Sequence, residues 1–354
     1  MPEARTLVDP DVASSTRPVP LVTLTRGGHV ESTHYGHVAV ADARGSLLAW
    51  AGDAQAFVFP RSAFKPFQAL PLVESGAFAR SGLGRNALAL IAGSHGGTDA
   101  HVKTVLQILE AAGADSSLLR CGAHEPYDRA TANELRARGE KATPLRMNCS
   151  GKHAGMLLLA RAMGAPLESY LDPSHPVQAA IFSRFTEVTG QPFEDAPAID
   201  GCSAPAPRIR LSLLAQSFAM LARGVDHTGM PVPALAEIRD AMMEFPENVA
   251  GEGRLDTELM RTLRGAVVSK AGAEGMHASA FLAPGVGIAI KIADGDAGHR
   301  ALKHAVVAVL DQLSLLSPGE REALVPGSER VIHSYAGLEA GEIRPAVTLT
   351  RTSP

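Results

Sequence analysis

The chain has 354 residues, 45% hydrophobic and 20% charged, with a formal net charge of −4. This is an ordinary globular composition, long enough for about two domain-sized units or one large α/β domain. There is no arginine-rich face with interleaved aromatics, no apolar run of membrane-spanning length and no apolar signal-peptide core, so neither nucleic acid nor membrane is an expected partner.

In chain order, residues 1–18 are polar, carry Pro2, Pro10 and Pro18, and show no period, so a mobile tail is expected. Alternating or β-branched segments follow at Leu21–Thr25, His37–Ala41 and Leu47–Trp50. The turn Asp42-Ala43-Arg44-Gly45 predicts a hairpin between the last two. Pro60 closes this strand region. From Ser62 to about residue 265 helical spacing dominates, clearest over 98–112, 153–163, 177–188 and 211–222, several of these ending at glycine. Strand patterns return at 266–269, 277–282 and 285–292, then a helix over about 298–315. Arg344–Pro354 offers a short strand and a frayed end.

Strands at both ends around a helical middle predict an α/β (α+β) fold. One antiparallel sheet would be built from both chain ends, flanked by helices, with an inserted helical region over about 98–265. The expected boundaries are a single domain over 19–340 and a C-terminal tail over 341–354.

Five short stretches are dense in small or reactive residues. Arg61-Ser62-Ala63-Phe64-Lys65 places a hydroxyl and an amine three residues apart, on one face of a helical turn. A serine needs a neighbouring base to become a nucleophile, and a lysine serves only if burial or another cation lowers its pKa. Taken alone, the same spacing fits a capping serine and a solvated lysine. Gly93-Ser94-His95-Gly96-Gly97 suits close backbone approach to a ligand, or simply a turn before the next helix. The others are Met147-Asn148-Cys149-Ser150-Gly151-Lys152-His153-Ala154-Gly155, Asp200-Gly201-Cys202-Ser203-Ala204-Pro205 and Ser269-Lys270-Ala271-Gly272-Ala273-Glu274-Gly275.

The three cysteines, Cys121, Cys149 and Cys202, are widely spaced and odd in number. That argues against a disulfide framework and for a reducing, cytoplasmic setting. Cys121 reads as core. Cys149 and Cys202 sit among glycines and polar residues, as ligands or reactive thiols do. A zinc site needs a third donor, and on residue chemistry His153 comes before Lys152, because a lysine amine must be neutral to donate. The serine–lysine stretches follow the order of penicillin-recognising serine hydrolases: S-x-x-K on a helix, a second polar motif, then K-T-G on a facing strand. Here Ser94-His95-Gly96 stands for the second motif and Lys270-Ala271-Gly272 for the third.

Together the five stretches resemble the Rhizobium etli-type (class 3) L-asparaginases, across roughly residues 20 to 335. The resemblance implies a serine β-lactamase/penicillin-binding-protein-like fold, a homodimer, and hydrolysis of L-asparagine to L-aspartate and ammonia. It implies one zinc ion (Zn2+) per subunit on Cys149, Lys152 and Cys202, with Lys152 replacing His153. It also implies two serine–lysine pairs, Ser62 with Lys65 and Ser94 with Lys270, and substrate contacts from Arg61, His95, His153 and Asp200. Arg61 suits the α-carboxylate and Asp200 the α-ammonium. Three other readings stay open. One is a zinc-dependent amidohydrolase using metal-bound water, and another a Cys149 or Cys202 nucleophile with His153 as base. The last is a penicillin-binding-like protein without turnover.

Overall fold

The computed structural model describes residues 17–352, so the N-terminal tail expected over 1–18 lies almost wholly outside the described residues. The hairpin expected at Asp42–Gly45 is present. Strand β2 (His29–Asp42) turns into β3 (Leu47–Ala51) with Asp42 Oδ1 accepting from the Arg44 and Ser46 N–H groups at 2.9 Å. Gly45 takes the left-handed φ of +87° that the turn requires.

Strand β2 extends well upstream of the expected His37, because Gly27 and Gly28 make a second hairpin joining it to β1 (Val19–Arg26). The returning strands are β4 (Val267–Gly272), β5 (Met276–Phe281) and β6 (Val286–Ile292). The chain ends in β7 (Val331–His333), β8 (Glu339–Pro345) and β9 (Thr350–Arg351). All pair antiparallel into one nine-stranded sheet, ordered β7-β8-β1-β2-β6-β5-β4, with β3 on β2 and β9 on β3. The sheet is therefore built from both chain ends, as the strand order predicts. The boundary at 340 needs correction: β8 pairs with β1 and β9 with β3, so residues beyond 341 belong to the sheet.

The helical middle begins with a single 3₁₀ turn, Arg61–Phe64, that runs into α1 (Lys65–Gln68). Four longer helices fall on the predicted periodic stretches: α2 (Asp99–Ala111), α3 (Ser150–Ala162), α4 (Pro176–Thr189) and α5 (Leu211–Arg223). They are followed by α6 (Leu255–Thr262) and α7 (Leu302–Gln312). Helix α5 lies across β2, β5 and β6. The approach is so close that a Cβ on Gly287 of β6 would sit 1.9 Å from the Ala215 carbonyl oxygen, which only glycine avoids. Helix α3 is buried from Ser150 through Ala160, so the third motif lies at the base of a fully enclosed helix. Among the described residues no helix is long and apolar enough to cross a membrane.

Candidate active site

The turn that carries Ser62 is seated by aromatic packing. Phe64 meets the Phe185 ring edge-on at 4.9 Å, and Phe67 meets the rings of Phe185 and Phe218 at 5.3 and 5.9 Å. Such pairs add about 0.5–1.5 kcal/mol each beyond their buried area, which fixes the turn against α4 and α5. From the other side β4 presses on it: a Cβ on Gly272 would lie 2.4 Å from the Pro60 carbonyl oxygen. The glycine of Lys270-Ala271-Gly272 thus lets the lysine-bearing strand reach the serine turn. Arg61 is held at φ +52°, a left-handed conformation that costs a non-glycine residue about 1–2 kcal/mol. Its Nε donates to Asp200 Oδ1 at 2.5 Å.

Arg61, Ser62, Lys65, Lys152 and Asp200 line one narrow recess with about 250 Å³ of free space. A larger cavity of about 1080 Å³ lies past Gly96, lined by Thr98, His101, Asp128 and Glu247, and holds none of the expected site residues. The chemistry gathers in the smaller space.

The lysine partnerships differ from those expected. Lys65 is 1% exposed and donates to the Gly93 carbonyl at 2.6 Å and to Ser94 Oγ at 2.9 Å. Ser94 is therefore bonded to Lys65 and not to Lys270, and Ser62 shares the recess with Lys65 without a hydrogen bond between their side chains. Lys270, also 1% exposed, donates to the Ala271 carbonyl at 2.7 Å and stands 3.7 Å from Asp256 Oδ2. Burial lowers its pKa to about 8; Asp256 opposes the fall, and the positive charges of Lys65 and Arg254 deepen it. A lysine poised near neutrality, as the serine mechanism demands, is thus present at Lys270.

The Gly93–Gly97 stretch is shaped by backbone crowding. A Cβ on Gly93 would lie 2.3 Å from the Asn248 carbonyl, and one on Gly97 would lie 2.5 Å from that of Arg146. Ser94 N–H donates to the Val249 carbonyl at 2.6 Å, pinning the serine for Lys65. His95, expected at the substrate, is engaged within the protein. Its ring is fully buried, Nε2 bonds Ser150 Oγ at 2.9 Å, and Nδ1 accepts from Gly97 N–H at 3.2 Å. Nε2 ties the Ser94 loop to α3 and Nδ1 braces the loop itself, and burial holds the ring neutral. That bond also engages the Gly97 N–H that a ligand-cradling turn would have offered.

Cys149, Lys152 and Cys202, the set that the resemblance implies, lie together. Cys149 caps α3, Lys152 lies in its first turn, and Cys202 is presented by a tight turn in which Ser203, at φ +68°, donates to the Asp200 carbonyl at 2.8 Å. All three are buried, and Lys152 Nζ lies 2.9 Å from Cys202 Sγ. The two sulfurs interact, which pushes the Cys202 thiol down and the Cys149 thiol up. Burial alone would lower Lys152; the Cys202 and Cys149 sulfurs outweigh it and the net direction is up.

His153 lies beside this group, fully buried. Its Nδ1 is 2.7 Å from the Tyr170 hydroxyl, while Nε2 has no hydrogen-bond partner among the described residues. Among those residues no three His, Cys, Asp or Glu side chains are grouped to hold a metal ion. The donors that lie together here are two cysteine sulfurs and the Lys152 nitrogen, a set that would fit a zinc ion with both thiols deprotonated and the amine neutral. Cys121 is core, its thiol pushed up by burial to about 11. Two residues that drew no attention in the sequence also matter: Tyr170, which orients His153, and Asp256, which faces Lys270. Asp256 reads as an ordinary acidic residue in the first turn of a helix, so the sequence carries no signal for it.

Residues 22–345 match the family model for L-asparaginase II. The chain belongs to the L-asparaginase II family. That makes it an amidohydrolase of the asparaginase type, acting on a small-molecule amide. No curated protein sequence matches it. Among solved structures it is similar to Mglu at 18% identity, with 82% of this chain and 68% of that one covered and a TM-score of 0.37. It is also similar to a β-lactamase from Mycobacterium bovis (15% identity, 78% and 94% covered, TM-score 0.42) and to a Bacillus glutaminase (13%, 79% and 91%, 0.37). Against further Mglu structures the chain spans 62% and 65% of their length.

Proposed function

We propose that this member of the L-asparaginase II family hydrolyses the side-chain amide of L-asparagine to L-aspartate and ammonia, with Ser62 as nucleophile, in the manner of the Rhizobium etli type. The observation that carries the reading is the shared recess. A hydroxyl, two buried lysines and an Arg61–Asp200 ion pair line one space. An α-amino acid brings a carboxylate and an ammonium that match that pair group for group. Arg61 takes the first and Asp200 the second, which turns the side-chain amide towards Ser62.

Ser62 Oγ then attacks the amide carbon and passes its proton to the lysine system. Lys65 is already bonded to Ser94, and Lys270 exchanges protons near neutral pH, so the same system can deliver a proton to the departing ammonia. The tetrahedral oxyanion is held by the backbone N–H of Ser62 at the start of its turn. Water releases aspartate from the acyl-enzyme.

Zinc would be held by Cys149, Lys152 and Cys202, and its proposed chemistry is charge and orientation at the substrate-binding side. The nearness of Asp200 to this group supports that role, since its Oδ2 lies 3.4 Å from Cys202 Sγ. His153, with Nε2 unengaged, is placed for a substrate or ligand contact there. The enzyme is proposed to act as a homodimer, which light scattering of the purified protein checks.

The test is ammonia release from L-asparagine, set against L-glutamine and a β-lactam, for wild type and Ser62→Ala. A loss of about 10³-fold or more with zinc content unchanged supports the serine route. Substantial residual turnover transfers the nucleophile to metal-bound water, and no turnover by wild type on any amide leaves a binding protein.

A further inference from the structure

Strand β4 forms one edge of the sheet, bonded to β5 alone, so its outer N–H groups need partners from elsewhere. At Ala271 the partner is a side chain: Asp256, in the first turn of α6, accepts from the Ala271 N–H through Oδ2 at 2.8 Å. The same oxygen is the one 3.7 Å from Lys270 Nζ. Its other oxygen accepts from Ser269 Oγ at 2.6 Å, and Ser269 Oγ is 3.0 Å from His277 Nε2. All four side chains are at most 2% exposed.

The protons along this chain can be assigned. Burial keeps His277 neutral at ordinary pH, its pKa lowered to about 4. The Ser269 hydroxyl has one proton and gives it to Asp256, so it must accept from His277 Nε2–H. That leaves His277 Nδ1 as a bare acceptor, and it is indeed without a partner. The Ser269 hydroxyl and the Ala271 N–H then both donate to Asp256, and His277 backs the serine; desolvation opposes the carboxylate charge, but the Lys270 charge and these hydrogen bonds outweigh it and its pKa is lowered.

We propose that Asp256 is the positioning residue of Lys270, fixing the edge strand that carries the amine and supplying the negative charge that keeps the amine able to gain as well as lose a proton. The charges facing Lys270 are Asp256 from α6, Lys65 from α1, Arg254 just before α6 and Cys149 at the start of α3. Two of these are cations that drive the proton off, and Asp256 is the closest negative group to oppose them. Without Asp256, Lys270 stays neutral through the working pH range and cannot protonate a leaving amine. Ser269 and His277 hold the carboxylate from behind. The proposal rests on the proton-carrying role given to Lys270 above.

Asp256→Asn keeps the shape and removes the charge. The limb of the kcat/KM profile that reports Lys270 should move to lower pH by about one to three units. Ser269→Ala keeps the charge and should lower stability while leaving that limb where it is. Asp256→Glu should restore most of the wild-type profile. A residue that merely held the strand would reduce activity without displacing the limb, and that result overturns the proposal.

A second measurement needs no turnover. In a ¹³C-labelled wild-type protein, the Lys270 Cε resonance is identified by its loss in Lys270→Met. The Asp256 carboxyl resonance should shift with the same midpoint as Lys270. Independent midpoints refute the coupling, even if the protein proves inactive on asparagine. Absence of ammonia release with coupled midpoints instead removes the asparaginase reading and leaves this one standing.

Discussion

Lys152 and Lys270 are the same residue type, 3% and 1% exposed, and burial pushes both towards the neutral amine. Their proton affinities move in opposite directions because of their neighbours. Around Lys152 the Cys202 and Cys149 sulfurs reverse the effect of burial and favour the cation. Around Lys270 one carboxylate faces two cations, and the pKa stays down near 8. Depth of burial therefore does not say what a buried lysine does. The sign and number of nearby charges decide it: beside two sulfurs the amine keeps its proton until a metal ion displaces it, and beside Lys65 and Arg254 it becomes a group that exchanges protons.

The comparison breaks if the two lysines prove interchangeable in effect. Lys270→Met should reduce kcat by about 10²–10⁴-fold, the usual scale for removing a general acid or base, while zinc content measured by elemental analysis stays at the wild-type level. Loss of metal in this variant would show that the two clusters are one functional unit.

The complementary substitution has a smaller effect. Lys152→Met should weaken zinc binding by about 10²-fold, read by competition with a chromophoric chelator, and should raise KM by a larger factor than it lowers kcat. Stripping zinc from the wild type with a chelator should reproduce the same split. An unchanged KM with collapsed kcat would move the metal from substrate binding to the chemical step.

Much of this arrangement could be read before the fold was known, and what could not has physical causes. The strands at both ends, the long helices and the five motifs each carry a local signal: period 2, period 3.6, or a cluster of small and reactive residues. The grouping of Ser62, Lys65, Lys152, Arg61 and Asp200 in one recess followed from those motifs together with the resemblance. Partnerships were not legible. Lys65 bonds Ser94 because Gly93 allows that loop to pack against Asn248, a contact between segments more than 150 residues apart. His95 looked free to meet a ligand, and its engagement by Ser150 depends on where α3 ends up. The early half of β2 was hidden because its residues are exposed and polar, with little alternation to read. Strands β8 and β9 lie near the end of the chain, where a short exposed segment looks like a tail until β1 and β3 are there to pair with it.

The smallest effect tests the comparison through stability. Lys270 releases its proton at about 8 in the folded chain, against an ordinary value of 10.5. Between those values the unfolded chain binds more protons at this residue, so the group makes folding more favourable as pH rises through the window. The penalty for burying the ammonium is fully present below about 8 and gone above 10.5. Lys270→Met has no such group. The stability of wild type minus variant, from urea unfolding on either side of the window, should therefore rise with pH by about 3 kcal/mol. In zinc-free protein Lys152→Met should give the opposite slope or none, because its neighbours there favour the charged form. Equal slopes for the two variants would mean that the sulfurs and the carboxylate do not set these lysines apart.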